Sequence, residues 1–281
     1  NIGQPDLPTP EVGLNAARNI DRKILEYSPS EGIRSFREKL VKYYAKFNII
    51  VDADDIIITT GGSEAVLFSF LACLDPGDEI IVPEPAYANY MAFAISAGAK
   101  IKTLPSSIDE GFALPSVEKF EELITDRTKG ILICNPNNPT GILINDRLLE
   151  RIIKECDRNG VRIFLDECFL DFTGQEDKLS YVKNILRYRG LFVLKAFTKM
   201  YAIPGIRLGY GITYDKELIG KMYDAGQPWN VSVLAQNAGI AALDEDKFAA
   251  DTVSLISKER EFICTNFQRM NIKYWESDAN Y

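Results

Sequence analysis

Not one histidine occurs in the 281 residues of the chain. The imidazole that commonly serves as acid and base near neutral pH is therefore missing. With it go the Ser-His-Asp triad and most zinc sites, and no metal site is expected. Proton transfer must run through Lys, Asp, Glu, Tyr, Cys or water. Cysteine is sparse: five residues, Cys73, Cys134, Cys156, Cys168 and Cys264, with no CxxC pair. That usage predicts free thiols in a reducing compartment, hence a cytoplasmic protein. No secretory leader is seen at the start, and no apolar run reaches the ~18 residues of a membrane span. Basic residues are outnumbered, 32 against 40 acidic, for a net charge of −8. This argues against nucleic acid as a partner, though not against a local basic pocket for one small anion. The GxGxxG dinucleotide fingerprint is also absent.

What is present is an ordinary globular composition, 46% hydrophobic and 26% charged, in a chain long enough for about two domains. Helical spacing predicts amphipathic helices over 9–25, 31–48, 145–158 and 245–269, with shorter ones near 64–74, 88–97, 117–124, 215–224 and 232–243. Between them stand short apolar runs that read as buried strands: Asp55-Ile-Ile-Ile-Thr-Thr, Glu79-Ile-Ile-Val, Lys100-Ile-Lys-Thr-Leu, Gly130-Ile-Leu-Ile-Cys, Val161-Arg-Ile-Phe-Leu and Leu191-Phe-Val-Leu. Two more are expected at 207–213 and at Ile272-Lys-Tyr-Trp. Such alternation predicts an α/β fold of three layers, a mostly parallel sheet with helices on both faces. Ligands in such sheets sit at the carboxyl ends of strands. Gly61-Gly62-Ser63, Asn138, Asp166 and Lys199 all follow strands in that way.

Each of these residues carries two readings. Gly62 and Ser63 can present backbone N–H groups and a hydroxyl to a phosphate at a helix N-terminus, or simply cap that helix. Tyr87, in Pro83-Glu-Pro-Ala-Tyr-Ala-Asn-Tyr90, can stack on a flat ring or pack a turn. The segment Asn135-Pro-Asn-Asn-Pro-Thr-Gly141 can aim the amide of Asn138 at a phenolate oxygen or form an Asx-turn. Asp166 ends an apolar strand and needs a partner, such as a protonated ring nitrogen or an arginine. Lys199 follows another apolar strand, where burial lowers an amine's pKa, or else it snorkels to the surface. Arg207 can grip a phosphate through two N–H groups or form a surface ion pair.

As a set these motifs resemble the fold type I pyridoxal-phosphate (PLP) enzymes, the aspartate aminotransferase superfamily, over essentially the whole chain. Gly3-Gln-Pro-Asp6 is similar to the N-terminal substrate loop. Tyr27 with Glu31-Gly32 resembles the segment that lends a tyrosine to the neighbouring subunit's phosphate site. Thr60-Gly-Gly-Ser-Glu-Ala resembles the phosphate cup, Tyr87 the ring-stacking aromatic, and Asn138 the ligand of the cofactor's O3′. Asp166-Glu167 resembles the pyridinium acid, and Phe197-Thr-Lys199 with Gly205-Ile-Arg207-Leu-Gly the Schiff-base lysine and phosphate arginine. The resemblance implies catalytic roles for Lys199, Asp166 and Tyr87. It implies a PLP site of Gly62, Ser63, Tyr87, Asn138, Asp166, Thr198, Lys199 and Arg207, completed in a homodimer by Tyr27 of the other subunit. An amino acid and a keto acid are the implied small-molecule substrates.

The chain departs from the family pattern in three places. Phe169 stands where aminotransferases have a tyrosine. Ala196 stands where many have a serine, which leaves Thr198 as the phosphate hydroxyl. The family continues past Tyr281 into more of a small domain, with an arginine for the substrate α-carboxylate. The resemblance therefore divides the chain into an N-terminal segment for substrate loop and dimer contact (1–30), a large PLP domain (31–230) and the start of a small α+β domain (231–281). Residues 1–141 resemble a general aminotransferase, and 142–281 the threonine-phosphate decarboxylase and histidinol-phosphate aminotransferase branch. The expected activity is transamination through Lys199. Decarboxylation of a phosphorylated amino acid and a non-catalytic binding role are the alternatives.

Overall fold

Seven short apolar segments build one sheet: β1 Ile56–Thr59, β2 Glu79–Glu84, β3 Lys100–Pro105, β4 Thr128–Cys134, β5 Arg162–Asp166, β6 Leu191–Ala196 and β7 Gly209–Ile212. The computed structural model describes residues 4–21 and 23–281. The order across the sheet is β1-β7-β6-β5-β4-β2-β3. Pairing is parallel from β6 through β3, and β7 lies antiparallel to both of its neighbours. Successive side chains of a strand point to opposite faces. Because β1, β7 and nearly all of β4, β5 and β6 are buried residue after residue, both faces of the central sheet are covered. The α/β fold expected from the sequence is the one that forms.

The helices are α1 Glu11–Arg18, α2 Arg34–Ala45, α3 Gly62–Cys73, α4 Asn89–Ser96, α5 Val117–Glu121, α6 Asp146–Arg158, α7 Glu176–Leu179, α8 Lys216–Ala225, α9 Val233–Ala242 and α10 Asp246–Arg269. Local chemistry sets their limits. Asn145 caps α6 by accepting the Leu148 N–H at 3.2 Å. The buried residues of α6, Leu149, Ile152, Ile153 and Cys156, recur at helical spacing. Asp215 caps α8 through the Glu217 and Leu218 N–H groups. Helix α3 runs against β1, β6 and β7 and packs on α8.

The sheet order puts the chemistry at one edge. Strands β1, β4, β5 and β6 all finish there, and β7, being reversed, begins there. In the outermost row Thr59 pairs with Gly209, and Gly209 with Ala196. In a parallel row Cys134 pairs with Asp166, and Asp166 with Leu194.

Three expectations need correction. The first helix ends at Arg18 rather than running to residue 25; Arg22, within that span, lies outside the described residues, as does Gly3 of the substrate-loop motif. The second helix starts at Arg34, since Gly32 takes φ +99° and Ile33 is extended. Ile272–Trp275 forms no strand. That segment leads into a turn held by side chains: Arg260 donates to the carbonyls of Ser277 (3.0 Å) and Ala279 (2.9 Å). The Asp278 N–H reaches Gly141 O at 2.8 Å, and Leu143 N–H reaches Asp278 Oδ2 at 3.1 Å. Among the described residues no helix is long and apolar enough to cross a membrane.

Candidate active site

Asp166 closes β5 and is buried, 8% exposed. Both oxygens are fixed: Oδ1 accepts the Cys168 N–H at 2.8 Å and Oδ2 accepts the Tyr90 hydroxyl at 2.6 Å. Burial, and then the Asp166 charge, push the Tyr90 hydroxyl well above the usual tyrosine range, so Tyr90 stays a donor. Tyr90 is a site residue that sequence reasoning missed. The available signal was its place one helical turn after Tyr87. The two rings meet edge to face at 5.4 Å. Tyr87 is half-buried and accepts a bond from Asn89 Nδ2 at 2.7 Å.

Lys199 stands in the turn after β6. Its Nζ lies 5.3 Å above the centre of the Phe169 ring. Burial lowers the pKa of the amine, against the opposing pull of Cys168 and Asp166. A larger neutral fraction of amine near neutral pH follows, and a neutral amine is the nucleophilic form. Phe169 thus occupies the place expected of a tyrosine as an apolar floor under the lysine, and its ring also meets that of Tyr281 edge to face at 5.0 Å. The Tyr281 hydroxyl donates to Asn137 O at 2.9 Å.

Beside the lysine is a cradle for an anion. Gly61 takes φ +113°, a conformation open to glycine at little cost. A side chain built on it would lie 3.2 Å from the Arg207 guanidinium. On Gly209 a Cβ would fall 2.5 Å from Gly61 C and 2.7 Å from Gly62 N. The N-terminus of α3 can therefore sit on β7 only because both positions are glycine. The N–H groups of Gly62 and Ser63, at the start of that helix, find no acceptor among the described residues. Arg207 is exposed, donates to Pro204 O at 3.1 Å and meets no carboxylate among the described residues. Neither the hydroxyls of Ser63 and Thr198 nor the amide of Asn138 has a hydrogen-bond partner there. Thr60 N–H is taken by Glu64 Oε2 at 2.7 Å, so this carboxylate closes one side of the cradle.

The sheet edge brings Gly62, Ser63, Asp166, Thr198, Lys199 and Arg207 together. The Tyr87 and Asn138 turns are joined beside it by Asn137 Nδ2 donating to Pro85 O at 3.2 Å. A Cβ on Gly62 would lie 3.7 Å from that of Ala196, so the alanine faces the cradle and leaves it wide. Tyr27 is placed elsewhere: it is 78% exposed, with its ring stacked on Trp229 at 4.8 Å. Behind Tyr90 lies an apolar cavity of about 200 Å³ lined by Pro85, Ala86, Phe112, Leu114 and Cys134 among others. No motif announces it, because its walls come from elements far apart in the chain, β2, β4 and α6 among them. No cluster of three metal-binding side chains occurs among the described residues.

The donor set fits a flat phosphorylated aldehyde: an arginine, helix N–H groups and hydroxyls for a phosphate, a fixed carboxylate for a ring nitrogen, and an amine poised between them. Comparison with known proteins agrees. The family model for aminotransferase class I and II matches residues 1–281. An aspartate aminotransferase of Thermotoga maritima is 27% identical over 283 residues, covering 99% of this chain and 74% of its own. A histidinol-phosphate aminotransferase of Methanocaldococcus jannaschii is 31% identical over 277 residues, covering 98% and 70%. Among solved structures, the aspartate aminotransferase of Thermotoga maritima superposes with a TM-score of 0.90 at 26% identity, covering 99% of this chain and 74% of the other. That of Thermus thermophilus with maleate gives 0.89 at 26% identity, again covering 99% and 74%.

Proposed function

Because the chain belongs to the class I and II aminotransferases, which are PLP-dependent, we propose that Lys199 carries the cofactor and moves the substrate proton, and that the cradle around Gly62 and Arg207 holds its phosphate. When bound, the cofactor supplies an electrophilic carbonyl carbon and a conjugated ring that accepts electrons from the substrate Cα. The other roles fall to the protein. Arg207, the Gly62 and Ser63 N–H groups and the Ser63 and Thr198 hydroxyls would bind the phosphate. Tyr87 would cover one face of the ring and the Asn138 amide would reach its phenolic oxygen. Asp166, locked by Tyr90 and Cys168, would hold the proton of the ring nitrogen. Lys199 Nζ, once displaced by the incoming amino group, would take the proton from the substrate Cα and deliver it to the cofactor's former carbonyl carbon. With no histidine in the chain, this amine is the best-placed acid and base.

The observation that carries the reading is the burial of Lys199 near Asp166, at the edge where, among the described residues, Arg207 meets no carboxylate and the Gly62 and Ser63 N–H groups meet no acceptor. On this reading residues 31–230 are the cofactor domain, 1–30 the substrate loop and dimer contact, and 231–281 the start of the small domain. The exposed Ile24 (76%), Leu25 (64%), Tyr27 (78%) and Trp229 (56%) form an apolar surface suited to a second copy. Tyr27 would then serve the partner's phosphate. Free thiols suit a cytoplasmic setting.

The test is turnover with L-aspartate and with histidinol phosphate against a keto-acid acceptor, the choice of donors taken from the relatives. Amino transfer by the wild type, lost in Lys199→Ala, is expected. CO₂ release without consumption of the keto acid would point instead to the decarboxylase alternative, which Phe169 favours. Sedimentation as a single chain would contradict the dimer.

A further inference from the structure

On the opposite side of β6 from the cradle, a charged cluster is sealed in the core. Ala196 faces Gly62, so Lys195, next to it in the strand, points the other way. Lys195 is 2% exposed. Its Nζ donates to Asp171 Oδ1 and to Glu176 Oε1, each at 2.5 Å. Glu176 Oε2 accepts the Tyr43 hydroxyl at 2.7 Å. Tyr44 and Tyr210 share a hydrogen bond at 3.0 Å, and Glu167 takes the Ser180 hydroxyl and the Tyr181 N–H, both at 2.7 Å.

A lysine and two carboxylates inside a core cost free energy unless every charge is matched. Burial would lower the pKa of Lys195, but Asp171 and Glu176 outweigh it and keep the amine charged. Burial likewise would raise Glu176, yet Lys195 and Tyr43 hold it down. Asp171 is raised by burial and by the neighbouring Glu176. One proton therefore stays on the pair and the cluster is neutral near pH 7.

Its members are spaced to clamp the two turns of the site. Asp171 lies in the 3-10 turn Leu170–Thr173, which is capped by Phe169, the residue beneath Lys199. Lys195 is four residues before Lys199 in the strand that delivers it. Tyr201, two residues after Lys199, stacks on Phe197 at 5.2 Å and feels the charges of Asp171 and Glu176.

We propose that the Lys195–Asp171–Glu176 cluster is a positioning device that ties the Phe169 turn and the Lys199 turn to the back of the sheet and so holds Lys199 Nζ half out of water. The proposal rests on the assignment of Lys199 as the cofactor lysine. The three residues touch neither cofactor nor substrate; they act through the backbone of the two turns.

The experiment is a pH titration of the visible band of the PLP-loaded protein. Lys195→Met alone would change the electric field at Lys199, so the informative variant is Lys195→Met/Glu176→Gln, which removes one charge of each sign. A loosened site admits water, which favours the protonated nitrogen, so the midpoint should rise by about one pH unit. PLP affinity should fall about tenfold from the lost alignment. Lys195→Arg, which keeps the cation and can keep both of its hydrogen bonds, should return the midpoint to the wild-type value. Tyr43→Phe, a deletion of one hydroxyl, should shift it in the same direction by less, and serves if the double variant does not fold. An unmoved midpoint in a folded double variant, or in Tyr43→Phe where the double variant does not fold, overturns the proposal. A titrating band that survives in Lys199→Ala refutes the assignment of Lys199, and the cluster's role with it.

Discussion

Asp166 keeps its place at the site through one hydroxyl and one backbone N–H. Tyr90 and the Cys168 N–H occupy its two oxygens, so the carboxylate is held in a single orientation. A hydrogen bond to a charged group contributes about 1.5–3 kcal/mol. Tyr90→Phe should therefore weaken PLP binding about 10–100-fold with little change in the far-ultraviolet spectrum, as read by equilibrium dialysis. Unchanged affinity would show that Cys168 alone fixes the carboxylate. This contact was not legible in the sequence, because it joins residues 76 apart and a tyrosine gives no warning of its partner. Lys199 and Arg207 were legible, since both follow or precede strands whose apolar character was plain. Lys195 was legible only in hindsight: it sits inside Leu191-Phe-Val-Leu-Lys-Ala-Phe, and a cation within such a run is buried unless the strand ends before it.

At the scale of elements, the site depends on how α3 meets β7. The two backbones approach so closely that Gly209 has no room for a methyl group, and the obstacle is backbone rather than a flexible side chain. Gly209→Ala should displace the N-terminus of α3, cost about 1–3 kcal/mol of stability and weaken PLP binding beyond that of a surface variant. Denaturant unfolding and cofactor dialysis read the two effects, and a variant as stable and as tightly loaded as wild type would refute the packing argument. The central strands were readable because each is a short apolar run buried on both faces; β3, at the sheet edge, is buried only at Leu104. The reversal of β7 was not, since a four-residue strand carries no sign of direction. Ile272–Trp275 reads as a strand by its β-branched and aromatic content, but Ile272 N–H bonds back to Phe267 O at 2.9 Å and Tyr274 accepts from Gln268 Nε2 at 2.7 Å, while the residues just after it, Ser277 to Ala279, are held by Arg260 and Gly141. Tertiary hydrogen bonds decided what propensity could not.

For the whole molecule, the buried acids make stability depend on pH. Burial pushes Glu167 up to about 7 from an ordinary 4.5. Its folded-state pKa is raised, so its contribution is fully present below about pH 4.5 and is lost as pH rises toward 7. The size is about 3 kcal/mol. Glu167→Gln, which keeps the volume and cannot ionise, should flatten the loss of stability across that window in chemical unfolding. An equal slope in both proteins would contradict the assignment. Lys199, and no other amine, is proposed to hold the cofactor. Borohydride reduction of the PLP-loaded protein, followed by digestion and mass spectrometry, tests it most directly. One pyridoxyl adduct is expected, on the peptide containing Lys199; no adduct, or an adduct on Lys195 or any other lysine, would contradict the assignment.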